Sequence, residues 1–395
     1  MKTITKGTMH MKTAVLSVAA CAAGLAFATA PEITLTSTSQ NSMTRAVTII
    51  YDLADEPAVV TFAAQTNNGS AWVDIGNENL RSFEGDVNRL VAVGNDHRVV
   101  WHPDKSWPDH KINDGTFRVG LKAWATNAPP QYMVIDLGQA DHIRYYEDEA
   151  SLPFSVTDDC AKTDLLVMRK INGQGVEWRM GSPEGEYGRS VGSETTHSVT
   201  FTKDYYIGVF PVTHRQYARM TSGAGTLDTW KLPLSDVTYD TFQSTIANAN
   251  ARHGTILRSP TEAEWEFACR AGTGSAYNNG TDDYTTRVGD IAWYQGNSGG
   301  VRHEVGTKQQ NAWGLYDMHG NVWEFCSDWY AADYGCGNAA VTNPTGGATA
   351  TSHVLKGGFY NKEGKDVRSA IRSASGSNSN AAWGFRLAAD ALAVR

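Results

Sequence analysis

The chain has 395 residues, 41% of them hydrophobic, and a formal net charge of -8 at pH 7. A chain of this length buries two hydrophobic cores more readily than one. Its acidic charge, without any basic stripe, excludes generic binding to a phosphate backbone, so we expect no nucleic acid partner. After residue 30, no apolar run approaches the roughly 20 residues that a membrane-spanning helix needs, so we expect no transmembrane segment.

The first 30 residues have the pattern of a secretory signal peptide. Lysines come first, an apolar run follows from Ala14 to Ala28, and small residues end the segment. Cleavage after Ala28 and cleavage after Ala30 both fit the small-residue pattern, although Pro31 disfavours the second site. An alternative is a lipoprotein anchored through Cys21, which follows the Val-Ala-Ala of an acylation box. The sequence therefore predicts a secreted, periplasmic or cell-surface protein.

Residues 45–137 carry regularly spaced strand patterns, and the polar residues 31–44 before them are expected to be a flexible leader. Turn signals such as Asn67-Asn68-Gly69 and Asn113-Asp114-Gly115 separate the runs, which are rich in β-branched and aromatic residues. The runs are AVTIIYDL, AVVTFAAQT, HRVVWHP, TFRVGLKAWAT and YMVIDL. Strands without long helices predict an all-β sandwich of the immunoglobulin or fibronectin type.

The polar and acidic residues 138–163 predict a linker to a second domain at 164–392. Two helices are signalled in that domain. Ser259-Pro260-Thr261-Glu262 reads as a capping box before AEWEFACRAG, and Gly272 supplies the stop. Thr213-His214-Arg215-Gln216 reads as a second capping box. Short strands and long loops fill the remainder, so we expect this domain to be α+β.

Export leaves four cysteines in an oxidising compartment: Cys160, Cys269, Cys326 and Cys336. Four cysteines allow three pairings, and the sequence does not choose among them. Cys326 and Cys336 are near neighbours that flank a turn-rich loop, so they are the first choice for a disulfide bridge. The alternative is four buried thiols.

Six segments of the second domain occur in an order that resembles a known family. They are RMGSPEGE at 179–186, YYIGVFPVTHRQYARM at 205–220, LRSPTEAEWEFACRAGT at 257–273, NAWGLYDMHGNVWEFCSDWY at 311–330, LKGGFY at 355–360 and WGFRLA at 383–388. Together they resemble the formylglycine-generating enzyme (sulfatase-modifying factor) family over about Val176 to Asp390. The resemblance implies a variant of the C-type-lectin-like fold, with a groove near the C-terminal segments.

Active members of that family oxidise a sulfatase cysteine to formylglycine, with copper held by two cysteine thiolates directly after a Gly-Gly pair. Soft thiolates are the ligands that select Cu(I). In this chain the segment from Phe359 to Ala370 contains no sulfur and is shorter than in the active enzymes. Phe359 stands at the family's serine, and Ala382 stands at its asparagine. The resemblance therefore implies a scaffold without cysteine-oxidase activity, and we do not expect copper.

The same resemblance implies a structural calcium site formed by Asp317, Gly320, Val322 and Glu324. Calcium prefers several oxygen ligands from a tight turn, and this loop has two carboxylates and backbone carbonyls to offer. The alternative is that Asp317 caps the turn and Glu324 pairs with an arginine such as Arg386.

Three functions remain open at this point. The first is a non-catalytic secreted protein that binds a peptide or glycan, with the β-sandwich as a spacer or adhesion module. The second is a copper-dependent oxidoreductase of the family type that acts through other ligands. The third is a variable receptor of a diversity-generating retroelement, because Asn361, Asn378 and Asn380 lie in the segment that such receptors vary.

Overall fold

The chain divides into two units. The computed structural model describes residues 9–10, 30–108, 116–139, 143–221, 229–376, 378 and 380–391. One unit comprises the described residues of Met1–Gln131 together with Ile143–Pro153, and the other comprises those of Tyr132–His142 and Phe154–Ala393. No helix in these described stretches is both long enough and apolar enough to cross a bilayer. The predicted signal peptide lies outside the described residues, apart from Met9, His10 and Ala30.

Strands dominate both units. In chain order the strands are β1 (Met9–His10), β2 (Glu32–Gln40), β3 (Val47–Ala54), β4 (Ala58–Asn67), β5 (Trp72–Asp74), β6 (Phe83–Gly85), β7 (Arg89–Val91), β8 (Gly94–Trp101), β9 (Phe117–Ala125), β10 (Tyr132–Asp136), β11 (Ile143–Tyr146), β12 (Leu165–Ile171), β13 (Glu177–Met180), β14 (His197–Thr200), β15 (Tyr205–Gly208), β16 (Leu257–Arg258), β17 (Ala292–Trp293), β18 (His319–Gly320), β19 (Trp323–Trp329), β20 (Val341–Thr342), β21 (His353–Lys356), β22 (Arg372–Ala374), β23 (Trp383–Gly384) and β24 (Ala388–Asp390). The α-helices are α1 (Pro103–Ser106), α2 (Asp159–Thr163), α3 (His214–Thr221), α4 (Tyr239–His253), α5 (Glu262–Arg270) and α6 (Val288–Ile291). Short 3-10 helices cover Asn77–Asn79, Glu149–Ser151 and Gly364–Asp366.

The first unit is a β-sandwich. One sheet has the strand order β1-β2-β3-β8-β6, and in the other β4 pairs with β5, β7 and β9. Side chains alternate between the two faces of a strand, so β3 buries every second residue. Ile49 and Tyr51 of β3 share a core with Phe62 of β4. Trp101 of β8 is fully buried and stacks on Phe117. The predicted all-β sandwich is confirmed.

The domain boundaries differ from those that the sequence predicts. Glu32–Gln40, expected to be a flexible leader, is a strand that pairs with β3. Tyr132–Asp136, counted with the sandwich, pairs with β12 in the second unit. The expected linker at 138–163 is wrong, because Ile143–Pro153 belongs to the first unit and Asp159–Thr163 forms a helix in the second. A short apolar run fits any sheet that can bury it, so composition alone assigned Tyr132–Asp136 to the nearest domain.

The second unit contains several sheets, and two of its strands carry the segments that resemble the known family. One sheet includes the order β10-β12-β15-β24-β16, all antiparallel. A second sheet has the order β22-β21-β19-β23, in which β19 is antiparallel to β21 and parallel to β23. Strand β19 lies in the second half of residues 311–330, a segment rich in aromatic residues that is called the aromatic loop below. Strand β21 ends directly before Gly357 and Gly358. With few helices and many short strands, this unit has the expected α+β architecture.

Helices α3 and α5 are both fixed by capping boxes. At α3 the Thr213 hydroxyl accepts from Gln216 N at 3.2 Å and Gln216 Oε1 accepts from Thr213 N at 3.0 Å, as expected. At α5 the box lies two residues later than predicted, because Thr261 is the N-cap and Glu264 the reciprocal partner. The two bonds measure 3.1 Å and 2.9 Å. Each box satisfies two backbone N–H groups that a helix start leaves open.

Helix α4, which the sequence analysis did not identify, is the longest described helix of the second unit. Its N-cap is Thr238, whose hydroxyl accepts from Thr241 N at 3.1 Å. Phe242, Ile246 and Ala249 form its buried face. They recur at the spacing of one helical face, so the helix is held by packing rather than by strong intrinsic propensity.

Candidate functional site

The Gly-Gly pair forces a sharp turn at the end of β21. Both Gly357 and Gly358 have positive φ angles, +93° and +77°. A Cβ on Gly358 would lie 2.6 Å from the carbonyl oxygen of Asp366, so only glycine fits. Phe359 and Tyr360 follow, both half-buried, with ring centroids 5.2 Å apart in an edge-to-face contact. Aromatic rings therefore stand where the active enzymes begin their metal-binding segment.

The rest of this segment is held by a buried ion cluster. Arg368 is fully buried and donates to both oxygens of Glu194, at 2.8 Å and 3.0 Å. It also pairs with Glu186 and donates to the carbonyl oxygens of Gly188 and Lys365. A bidentate arginine–carboxylate pair fixes geometry as well as charge. The segment is thus positioned by guanidinium and carboxylate groups, in a place where the family uses thiolates.

Cys269 lies beside this segment, next to Ser369, but its thiol and that of Cys326 are both enclosed in the core. Cys269 and Cys326 are both fully buried in the core of the second unit. Burial raises the pKa of the Cys269 thiol to about 12 and raises the pKa of Cys326 well above its usual range. The thiolate is the form that binds metals, so burial disfavours metal binding by both thiols. Across the residues that the structure describes, no cluster of three or more His, Cys, Asp or Glu side chains is arranged to hold a metal.

The predicted disulfide between Cys326 and Cys336 is wrong, because both residues are free thiols in the structure. Cys326 lies on β19 with its side chain in the core. Cys336 sits in the following turn, where its Sγ contacts the carbonyl oxygen of Asp333 at 3.6 Å. Closeness in sequence did not bring the two sulfurs together, since a disulfide also needs matching Cβ directions.

Asp317 lies in the tight turn that precedes β18. Its carboxylate is buried and accepts from Gly306 N at 2.7 Å and from Asn321 Nδ2 at 3.1 Å. Burial raises the pKa of Asp317 above its ordinary value, and these two hydrogen bonds offset only part of that effect. Asp317 thus holds the turn together, as the alternative interpretation of the sequence supposed.

Glu324, the second predicted carboxylate ligand, is already saturated. Its oxygens accept from Arg386 at 2.6 Å and 2.8 Å and from Trp265 Nε1 at 2.6 Å. All three side chains are fully buried. Gly320 and Val322 lie in the same loop, also buried, so the structure does bring the four predicted calcium residues together. As placed, however, the set does not fit calcium, because the ion would face the guanidinium that already neutralises Glu324.

A network of buried charges that the sequence analysis missed joins α5 to the sheet beside the Gly-Gly pair. Lys356 is fully buried, with its Nζ 2.8 Å from Glu266. Arg372 donates to Glu262 at 2.6 Å. Asp328 accepts from Glu262 N at 2.9 Å. Burial first, and then the charge of Glu262, raise the pKa of Asp328 to about 7.

A groove lies between helix α4 and the start of α5. Its volume is about 670 Å³, within the range of small-molecule sites. Tyr239, Gln243 and Ile246 of α4 form one wall. Arg258 and Asp390 lie on the adjacent strands β16 and β24. Because α4 was not predicted, the sequence analysis could not have found this groove.

The family model of the sulfatase-modifying factor enzyme 1-like domain matches residues 172–391, which is more than half of the chain. A formylglycine-generating enzyme from Thermomonospora curvata is 37% identical over 151 residues, covering 34% of this chain and 50% of that enzyme. The serine/threonine-protein kinase pkn1 of Chlamydia pneumoniae is 27% identical over 269 residues, covering 62% of this chain and 40% of the kinase.

Among solved structures, Treponema denticola variable protein 1 matches with a TM-score of 0.50 at 23% sequence identity. The match covers 60% of this chain and 97% of that protein, and it shows a shared fold. The chain spans about half the length of the formylglycine-generating enzyme and two fifths of the kinase. Since the family model covers most of the second unit, the chain belongs to the family of sulfatase-modifying factor enzyme 1-like domains.

Proposed function

We propose that this protein is a secreted member of the family that lacks cysteine-oxidase activity and binds a peptide or glycan ligand. The observation that carries the proposal is the segment after Gly358, which contains no sulfur up to Ala370. Copper in the active enzymes depends on two thiolates from that segment, and the described residues contain no cluster of three or more His, Cys, Asp or Glu side chains that would replace them. Arg368 and its carboxylate partners hold the segment instead.

An oxidoreductase that uses other cysteines has little support. Cys269 and Cys326 would have to leave the core and lose a proton before they could bind a metal. The distance from Cys269 Sγ to His319 Nε2 is 3.7 Å, but that imidazole is fully buried. Burial lowers the pKa of His319 to about 4, and the ring nitrogen near the thiol accepts from Asn278 N at 3.2 Å. The pair is therefore engaged inside the core.

A binding role is supported by the scaffold, which is folded although the segment after the Gly-Gly pair departs from the active enzymes. The capping boxes, the aromatic loop and the sheet that carries the Gly-Gly pair are all formed. The groove beside α4 is large enough for a small ligand. The signal-like N-terminus supports export. The variable-receptor alternative stays a prediction, and a reverse transcriptase gene beside this one would favour it.

The proposal is tested by incubating the purified protein with copper, a reductant and a Cys-x-Pro-x-Arg peptide. The enzyme from Thermomonospora curvata serves as the positive control under the same conditions. We expect no aldehyde above the blank for this protein, measured by mass spectrometry. Aldehyde formation that depends on copper would overturn the proposal.

A further inference from the structure

Three charged groups of the groove beside α4, Arg258, Glu264 and Asp390, are already paired with each other, and the exposed Lys203 also lines it. Arg258 donates to both oxygens of Glu264 at 2.7 Å and to Asp390 Oδ1 at 2.7 Å. Glu264 also accepts from Thr261 N in the capping box of α5. An anionic ligand would have to compete with two carboxylates for Arg258, and a cationic ligand would have to compete with Arg258 for them. The end of the groove that holds these three groups therefore favours an uncharged ligand.

The backbone N–H and C=O groups beside the groove also have hydrogen-bond partners. On the free edge of β16, the amide of Asn250 accepts from Leu257 N and donates to Leu257 O, both at 2.8 Å. On the opposite side, Asn343 Oδ1 accepts from Thr202 N at 3.0 Å. An extended peptide binds a sheet by adding main-chain hydrogen bonds to such an edge. Side-chain amides occupy these positions here, so the groove has no edge for a peptide strand.

Besides Lys203, whose ammonium can donate a hydrogen bond, several side-chain oxygens of the groove remain open to a ligand. Gln243 Nε2 donates to Ser259 Oγ at 2.8 Å, and that bond leaves Gln243 Oε1 available as an acceptor. Asp390 has one oxygen on Arg258, and the side chain is 45% exposed. Thr345 adds an exposed hydroxyl at the rim. Together they offer acceptors for hydroxyl donors and a hydroxyl that can donate or accept.

Apolar surface lies next to these oxygens. Ile246 of α4 and Pro344 of the loop after β20 both line the groove. A saccharide has hydroxyls around its edge and C–H groups on its faces, and it carries no charge that would disturb the ion pairs. Sites for small ligands commonly combine such apolar contact with a few polar groups that fix orientation.

We propose that this groove is a saccharide-binding site, with Gln243 and Asp390 accepting hydrogen bonds from sugar hydroxyls. This inference rests on the proposed function, because it names the class of the proposed ligand and the place where that ligand binds. The groove lies near the start of β21 through Ser327 and Tyr239, whose ring stacks on His353 at 3.4 Å. The Gly-Gly pair follows the other end of the same strand. The two places are therefore separate targets for mutation.

The test uses saturation-transfer NMR and calorimetry on the full chain with maltose, cellobiose, lactose and N,N′-diacetylchitobiose, each up to about 10 mM, which detects affinities in the millimolar range. Thr345→Trp fills the groove from an exposed position, and Gln243→Ala removes one acceptor. Tyr360→Ala, beside the Gly-Gly pair, is the matched control. The tripeptide Gly-Lys-Gly is the competing ligand class, and thermal unfolding confirms that each variant is folded.

We expect at least one disaccharide to bind, with its dissociation constant raised about tenfold or more by Thr345→Trp and by Gln243→Ala. Tyr360→Ala should leave that constant unchanged. Absence of binding by all four disaccharides overturns the inference. So does binding of the tripeptide in place of sugars, or a loss caused by Tyr360→Ala alone. The proposed loss of oxidase activity is judged separately, by aldehyde formation, so the two can fail independently.

Discussion

Replacing Asp328 by asparagine should change how the stability of the second unit depends on pH. Asp328 is 2% exposed and accepts from Glu262 N at 2.9 Å and from Ser327 Oγ at 3.0 Å. Burial and the nearby charge of Glu262 raise its pKa from the usual 3.8 to about 7. An asparagine oxygen can accept the same two hydrogen bonds, so the variant keeps the geometry and removes the ionisation.

The magnitude follows from linkage between protonation and folding. The folded protein holds the Asp328 proton more tightly than the unfolded chain, so this group favours folding at low pH. That contribution is fully present below pH 3.8 and is lost as the pH rises to about 7. At about 1.4 kcal/mol for each unit of pKa, the loss amounts to about 4 kcal/mol. Asp328→Asn should therefore gain about 4 kcal/mol in the free energy of unfolding relative to the parent between pH 4 and pH 8.

Urea unfolding at several pH values between 4 and 8, followed by tryptophan fluorescence, measures this difference. Asp333→Asn is the matched control, because Asp333 is an exposed aspartate five residues further along the chain. We expect its difference from the parent to stay constant across the pH range. A constant difference for Asp328→Asn as well would refute the reasoning, since it would mean that Asp328 stays ionised in the folded protein without cost.

Three further outcomes follow from the site. Arg386→Met should lower the free energy of unfolding of the second unit by about 3–5 kcal/mol in urea, because it leaves the buried Glu324 without its partner. Adding Glu324→Gln should recover most of that loss. A loss below about 1 kcal/mol would contradict the buried pair. Calcium should leave the melting temperature unchanged, because Arg386 already neutralises Glu324; a calcium-dependent rise that Asp317→Ala and Glu324→Ala abolish would establish the predicted site. Titration of the native protein with a disulfide reagent should leave the thiols of Cys269 and Cys326 unreacted. The same titration after denaturation should find all thiols free. Peptide mapping that recovers a disulfide-bonded Cys326 would contradict the structure.

Local sequence patterns were sufficient to predict those features that depend only on residues close together in the chain. The capping box of α3 was predicted at the right residues, because Thr213 and Gln216 satisfy each other within one helical turn. At α5 the predicted box began at Ser259 and is wrong by two residues. The structure uses Thr261 and Glu264, while Glu262 turns to Arg372, 110 positions later. That distant partner cannot be read from the local pattern.

Helix α4 also could not be predicted from its local sequence pattern. Its buried residues Phe242, Ile246 and Ala249 have helical spacing, but serine, threonine and asparagine stand at several of the positions between them. These residues favour caps and turns as much as helices, so the segment resembles a loop until packing is known. The groove depends on this helix and was missed with it.

For the candidate site, the resemblance located the right loop but not its partners. Asp317, Gly320, Val322 and Glu324 do come together, yet the partner of Glu324 is Arg386, 62 positions away. The absence of sulfur after Gly358 needed only the sequence. The ion cluster that replaces it could not be predicted, because Arg368 reaches Glu186 and Glu194 across more than 170 positions.

Copper coordination is the most direct measure of what the segment after Gly358 can do. X-ray absorption of the purified protein loaded with one equivalent of Cu(I) reports whether sulfur atoms are bound to the metal. We expect no site with two sulfur ligands and no tight competition against a Cu(I) chelator. A stable copper site with two cysteine sulfurs would contradict the loss of the oxidase site.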